Sequence, residues 1–508
     1  MDRARIPNIS SIIKRLGGAT ALLAIGLLIG RMSGVLRELM LSARLGTSAE
    51  ADSAVVLMSL PDLLVNILVA GGLSAVLVPQ FKQLDQAASV RLFWQAFTTI
   101  FASFGVVAMF CFLSPNLVFR FFAPGLEIPV DLLSPASIAL ITAAIPLSAL
   151  SGVSGSYLNA TERYFMTGLG TLFFNLALIV GLFLADTSKS IFWYIALGVG
   201  AGAALRLFSQ LASMPKNVWR VPVKSEQHVV MPWRPFFAAV AATTLTLVVP
   251  NLVRAAASFT GVGAVASLNY AQKLVELPTA VLLSAIMTVT LTRVSSAFVT
   301  GGLAGARLEL SQKLQLALGM AIFAAFGSVF FSQPIVEFAF GYGVMSGKAI
   351  ESVSDLFQIG SMGLPATALT LLLSAYLNAT NRTSAVLRAT FGSVMIMPLL
   401  VLPGILLKSP ILLVWAMVFF QVILSYALIR AIVKFDKIPL MVMLYSLFPK
   451  ATFINIVKGL AIITLAVGFD RFLQFESALA RLAIMVTAFA MAVFVSTLLK
   501  ERPNETHI

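Results

Sequence analysis

The chain has 508 residues, 59% of them apolar and 11% charged, with a mean hydropathy of +0.95 and a formal net charge of +14. That balance excludes a soluble globular protein, which needs far more charge to stay dispersed. One cysteine, Cys111, and two histidines, His228 and His507, exclude a disulfide framework and argue against a metal centre or a His-based catalytic triad.

Apolar stretches of about 20 residues, each long enough to cross a bilayer, recur from end to end. Fourteen spans are expected, at 17–43, 51–80, 92–114, 133–157, 164–185, 191–213, 236–258, 263–292, 314–332, 355–378, 384–407, 411–432, 451–470 and 478–499. The first is read as an uncleaved helix rather than a signal peptide, because its apolar segment continues through Arg31 and Arg37 with no small-x-small cleavage site before them. The expected fold is an all-α integral membrane protein. Residues 1–214 form an N-terminal six-helix lobe, 215–235 a cytoplasmic linker loop, 236–433 a C-terminal six-helix lobe, and 434–508 two additional helices with a cytoplasmic tail.

With the N-terminus placed in the cytoplasm, 22 of the 35 Lys and Arg fall in cytoplasmic tails and loops and seven on the opposite side. This is the positive-inside pattern of a multi-pass inner-membrane protein with both termini inside. The basic excess therefore marks topology, and no nucleic-acid partner is expected.

The stretch SGSYLNATERY at 154–164 returns as LSAYLNATNRT at 373–383. Tyr157-Leu158-Asn159-Ala160-Thr161 and Tyr376-Leu377-Asn378-Ala379-Thr380 are identical, and Arg163 and Arg382 follow at the same offset of 219. Pro146 and Pro365 share that offset. Earlier in each half, Gly46 matches Gly263, Leu60-Pro61 matches Leu277-Pro278, and Phe81 matches Phe298, all at 217. Six spans per half is an even number, so the halves enter the membrane in the same direction and form parallel repeats around a central cavity. Pro61, Pro146, Pro278 and Pro365 each remove a backbone donor inside a span. They are candidate hinges, and Pro250 interrupts another span.

Six cations fall within spans: Arg31, Arg37, Arg206, Arg254, Lys273 and Lys458. A charge at the bilayer centre costs about 2.5–3.5 kcal/mol on insertion scales, so such residues face water or a partner. Arg206 and Lys458 lie near cytoplasmic ends, where snorkelling accounts for them. Arg31 and Glu38 share a face of the first span, and Arg37 is expected to point elsewhere, available to another partner. Arg37 and Arg254 are equivalent at the 217 offset, so an anion between them across the cavity is expected. The planar fork of arginine suits phosphate oxygens. Lys273 and Glu276, three apart, and Asp52 complete the candidate set of cavity charges: Arg31, Arg37, Asp52, Arg254, Lys273 and Glu276. The implied substrate is anionic and amphipathic, with a phosphate-bearing headgroup in the cavity. Its lipid tail would stay in the bilayer, at a groove to which the two added helices contribute.

RMSGVLRELMLSARLG followed by EADSAVVLMSLPDLLVNILVAGGLSAVLVPQF resembles the opening of the MurJ (MviN) lipid II flippases of the multidrug/oligosaccharidyl-lipid/polysaccharide exporter superfamily. ASLNYAQKLVELPTAVLLSAIMTVTLTRVSSAF resembles that family's seventh-to-eighth span region. The resemblance implies that Arg31, Arg37, Asp52 and Glu276 stand at charged positions of the family, and Lys273 where the family has arginine. Three departures alter the headgroup site. Val65-Asn66 stand where the family often has arginine, and Ala70 and Gln272 stand where it often has acids. Arg254 is expected to replace the missing span-two cation.

The resemblance implies transport of a polyprenyl-diphosphate-linked saccharide, with the lipid bilayer and the cell-wall synthesis machinery as partners. No cofactor is expected. No Gly-x4-Gly-Lys-[Ser/Thr] loop occurs, so ATP hydrolysis is not expected, and coupling to membrane potential or an ion gradient is. Two alternatives stand beside this: a flippase for a polyprenyl-linked exopolysaccharide unit, and a non-transporting membrane scaffold for envelope synthesis.

Overall fold

The computed structural model describes residues 19–67, 73–126, 133–185, 188–219, 233–441, 443, 450–473 and 477–498, and no strand occurs among them. The chain divides into two compact units, Met1–Val248 and Val249–Ile508. The division falls inside a helix, Trp233–Ala257, rather than in the expected linker at 215–235. Phe236, at that helix's start, is buried in the core of the first unit.

The first unit holds α1 (Ala19–Leu45), α2 (Ala49–Ile67), α3 (Leu73–Gln83), α4 (Gln86–Leu113), α5 (Pro115–Phe122), α6 (Pro135–Ala160), α7 (Tyr164–Leu184), α8 (Ser188–Ala212) and most of α9 (Trp233–Ala257). Local chemistry sets the starts. The Asp85 carboxylate accepts from the Ala88 N–H at 2.7 Å, and the Ser134 hydroxyl accepts from the Ser137 N–H at 3.1 Å, with Pro135 opening α6. Phe81, Phe93 and Tyr157 join α3, α4 and α6, with ring centroids 5.1 and 5.3 Å from Tyr157. The start of the expected linker is not a solvated loop. Lys216–Trp219 forms a 3-10 turn that docks on this core, where Val218 is buried and its carbonyl accepts from Trp94 Nε1 at 3.0 Å.

Helix α7 packs between α1 and α8. Small residues permit the approach, as they do where helices associate within lipid. A β-carbon on Gly26 would stand 3.0 Å from Gly168 Cα, and one on Gly181 would stand 2.5 Å from the Tyr194 carbonyl oxygen. The neighbour at Gly181 is backbone and cannot swing away. Gly181→Ala is therefore expected to push α7 and α8 apart and destabilise the unit by about 1–3 kcal/mol, read as a lower midpoint in thermal unfolding of the detergent-solubilised protein.

The second unit holds α10 (Ala264–Pro278), α11 (Ser284–Phe330), α12 (Ser332–Phe340), α13 (Gly347–Ser361), α14 (Leu364–Ala379), α15 (Thr383–Leu406), α16 (Pro410–Asp436), α17 (Lys450–Leu473) and α18 (Ala478–Leu498). The two added helices α17 and α18 pack together and onto α11. Gly459 admits the buried ring of Phe323 there.

The expected span at 263–292 is broken: α10 ends at Pro278, and a π turn at Thr279–Leu283 leads into α11. The stretch expected as a cytoplasmic loop before span nine is helical and belongs to α11, which breaks only at Gly302 (φ 60°, ψ −151°). A backbone there suits glycine alone. The span expected at 355–378 starts earlier, as α13 and α14 meet at a 42° bend. Helices α5 and α12 lie where loops were expected. Eight described helices are each long and apolar enough to cross a membrane, nine if α13 and α14 make one bent span. Helix α1, with Arg31, Arg37, Glu38 and Arg44, is not among the eight.

The two YLNAT copies fold alike. Glu162 and Asn381 take φ of 63° and 61°, and Arg163 and Arg382 donate backbone N–H to the carbonyls of Leu158 (2.8 Å) and Leu377 (2.7 Å). Glu162 and Asn381 donate to Asn159 (3.2 Å) and Asn378 (3.1 Å). Each copy is thus a Schellman turn that ends one helix and starts the next. Gly46 and Gly263 also share positive φ, 59° and 79°.

Candidate functional site

Of the candidate charges in the first unit, Arg37 lies in a buried hydrogen-bonded network. Arg37 is buried, with its side chain 7% exposed, and Glu38 is 1% exposed. The guanidinium donates through Nη2 (2.7 Å) and Nε (3.2 Å) to Glu38 Oε1, and through Nη1 (3.0 Å) to Asn175 Oδ1 on α7. Asn175 Nδ2 donates to Ser33 Oγ (3.0 Å) and to the Gly30 carbonyl (3.2 Å), and Ser33 Oγ donates to that same carbonyl (2.7 Å). The expectation that Arg37 points away from its carboxylates is corrected. In a buried setting the adjacent carboxylate, through two charge-assisted hydrogen bonds, is the stronger claim on it.

Asp52 is fully buried in the first turn of α2, where the helix N-terminus favours an anion, and its N–H donates to the Ser48 carbonyl at 3.1 Å. Arg31 is exposed. Arg206, expected to snorkel, is instead buried between α8 and Gly170 of α7. Lys458 is exposed.

In the second unit Lys273 Nζ lies 2.9 Å from Glu276 Oε2, with the two side chains 28% and 62% exposed, so this pair is open to its surroundings. Arg254 is half-buried and donates through Nη1 to Asn251 Oδ1 at 3.3 Å. Gln272, at a position where an acid was expected, turns its amide to Met417 Sδ at 3.0 Å.

The hinge candidates divide by context. Pro278 closes α10 at the π turn, and Pro365 opens α14 just after the 42° bend. Pro146 is buried inside the continuous helix α6, and Pro61 lies within the bounds of α2.

A second network escaped sequence reasoning. Asp436, the last residue of α16, is fully buried at its side chain, pairs with Arg382 Nη1, and accepts from the Tyr376 hydroxyl at 2.5 Å. The Arg382 guanidinium also stands 5.2 Å from the Phe435 ring centroid. In the first half, the side chains of Ser89 and Asn217 lie beside the hydroxyl of Tyr157. Asn217 and Asp436 stand 219 apart, the offset of the YLNAT copies. That spacing was the available signal: it extends the repeat to the residue beside each tyrosine hydroxyl.

These features define an all-α, multi-pass membrane protein. The solved structure "Lipid II flippase MurJ, inward closed conformation" superposes with a TM-score of 0.79 at 18% identity, covering 94% of this chain and all of that one. An inward-facing multidrug resistance MATE family transporter of the MOP superfamily follows at 0.62 and 14%, over 82% and 99%. The model of the lipid II flippase MurJ family matches residues 41–496. The chain belongs to that family, whose members are transporters of the bacterial inner membrane. It is 25% identical over 379 residues to the probable lipid II flippase MurJ of Rhizobium meliloti (strain 1021), spanning 71% of this chain and 69% of that one. It is also 25% identical over 376 residues to that of Thermotoga maritima, over 73% and 76%.

Proposed function

We propose that this chain moves an undecaprenyl-diphosphate-linked cell-wall precursor, lipid II, from the cytoplasmic to the periplasmic leaflet by alternating access. The family match over residues 41–496 carries the reading. The cations that are exposed or partly so, Arg31 in the first unit and Arg254 and Lys273 in the second, supply the positive charge that a diphosphate headgroup requires, and Glu276 pairs with Lys273. Arg37, which is buried, ties α1, the helix that carries Arg31, to Asn175 of α7. Both termini lie in the cytoplasm, membrane potential or an ion gradient supplies the driving force, and the cell-wall synthesis machinery consumes the product.

The test is complementation of a strain depleted of its own lipid II flippase, paired with a leaflet assay for lipid II. Growth and outward movement are expected. A well-inserted protein that supports neither overturns the reading. Arg254→Ala, which removes a charged donor to the headgroup, is expected to lower transport about tenfold; undiminished transport would remove Arg254 from the site. Gln272 favours one second reading, an exopolysaccharide unit as cargo. Its amide is spent on Met417 and leaves the headgroup without the acid that the family resemblance implies there. Rescue of an exopolysaccharide flippase mutant, without rescue of lipid II movement, would select it.

A further inference from the structure

Inside the first unit, α6, α7 and α8 bury polar atoms that the protein itself does not satisfy. Gln210 is fully buried, and neither its Nε2 nor its Oε1 has a hydrogen-bond partner. The hydroxyl of Thr167 is likewise buried and unpartnered. The groups converge on two glycines. Gln210 Nε2 lies 3.3 Å and 3.7 Å from the positions of β-carbons on Gly170 and Gly155. Arg206 Nε lies 3.0 Å from the first position, and Thr167 Oγ1 4.0 Å from the second.

The repeat shows that the fold does not require polarity here. At the 219 offset, Thr167, Gly170 and Gln210 correspond to Val386, Ala389 and Ile429. Those three belong to the apolar core of the second unit. Arg206 corresponds to Ser425, whose hydroxyl donates to the Ala366 carbonyl at 3.0 Å. At the Thr167 and Gln210 positions one half has hydrocarbon, and the other has a hydroxyl and an amide. Leaving a buried donor or acceptor unmet costs about 1–3 kcal/mol each. Such a set persists where something small and polar meets it.

We propose that Thr167 and Gln210, framed by Gly155 and Gly170, hold ordered water inside the N-terminal unit. Water fits the chemistry better than an anion. Gln210 offers both a donor and an acceptor, and its Oε1 would repel an anion while a water molecule can donate to it. The assignment stands independently of the cargo, since it uses none of the candidate headgroup charges.

The test is an experimental map at about 2 Å resolution of the wild-type protein, with and without bromide. Density is expected about 3 Å from Gln210 and Thr167, unchanged by bromide. A bromide peak there would assign an anion site instead, and direct pairing of Gln210 with Thr167 without intervening density would remove the site; either overturns the proposal. In the Thr167→Val/Gln210→Ile variant, which carries the second unit's residues, that density is expected to vanish. Density that persists in the variant would be held by other groups and would overturn the assignment.

Discussion

Asp436→Ala is expected to destabilise the second unit by about 3–5 kcal/mol, the cost of removing one partner from a buried ion pair. The Asp436 side chain is fully buried at the end of α16, and it meets Arg382 from the turn before α15 and Tyr376 from α14. The carboxylate thus ties three helices, and its loss leaves the Tyr376 hydroxyl and the Arg382 guanidinium without the acceptor they share. Asp436→Asn should cost less. It keeps an acceptor for Tyr376 and places there the residue type that stands at the equivalent position of the first half, Asn217. A double-mutant cycle with Arg382→Ala, read by thermal unfolding in detergent, isolates the pair. A coupling near zero would show that the ion pair contributes nothing and that the tyrosine contact alone holds the turn.

The repeat was legible because its clearest part is a helix terminus. A Schellman turn needs a left-handed residue and a fixed count of carbonyls, so YLNAT and the residues after it survive in both halves while the surrounding apolar positions drift. Span boundaries were less legible. Hydropathy marks apolar stretches without registering where a helix changes direction, so Gly302, the π turn after Pro278 and the bend before Pro365 appeared only in the fold. The candidate site was half legible. Sequence spacing located Lys273 with Glu276 as a pair. It misplaced Arg37, because helical geometry sets adjacent residues on different faces, yet a guanidinium is long enough to fold back onto a neighbouring carboxylate. Asn175, contributed 138 residues away, has no sequence signal that ties it to Arg37. Burial of Arg206 was missed for a similar reason: a long cation near a helix end looks able to reach water, and only the close approach at Gly170 shows that it does not.

Glu38→Ala is expected to abolish complementation and to destabilise the first unit by about 3–5 kcal/mol, because it removes the carboxylate that receives two hydrogen bonds from buried Arg37. Glu38→Gln keeps an acceptor but not the charge, and an intermediate loss is expected. Arg31→Ala supplies the contrast. Its side chain is exposed on the same helix, so the thermal midpoint should hardly move while lipid II transport falls. The comparison separates two roles that charged residues of α1 can play. If Arg31→Ala unfolds the protein as Glu38→Ala does, the exposed cation is structural, and the headgroup must be recognised from the second unit alone, by Arg254 and Lys273. If instead Glu38→Ala leaves the thermal midpoint intact but still stops transport, the buried network is part of the moving machinery. Arg37 would then leave Glu38 and Asn175 at some stage of the cycle to meet the diphosphate, as an arginine held by hydrogen bonds can do when a dianionic headgroup competes for it.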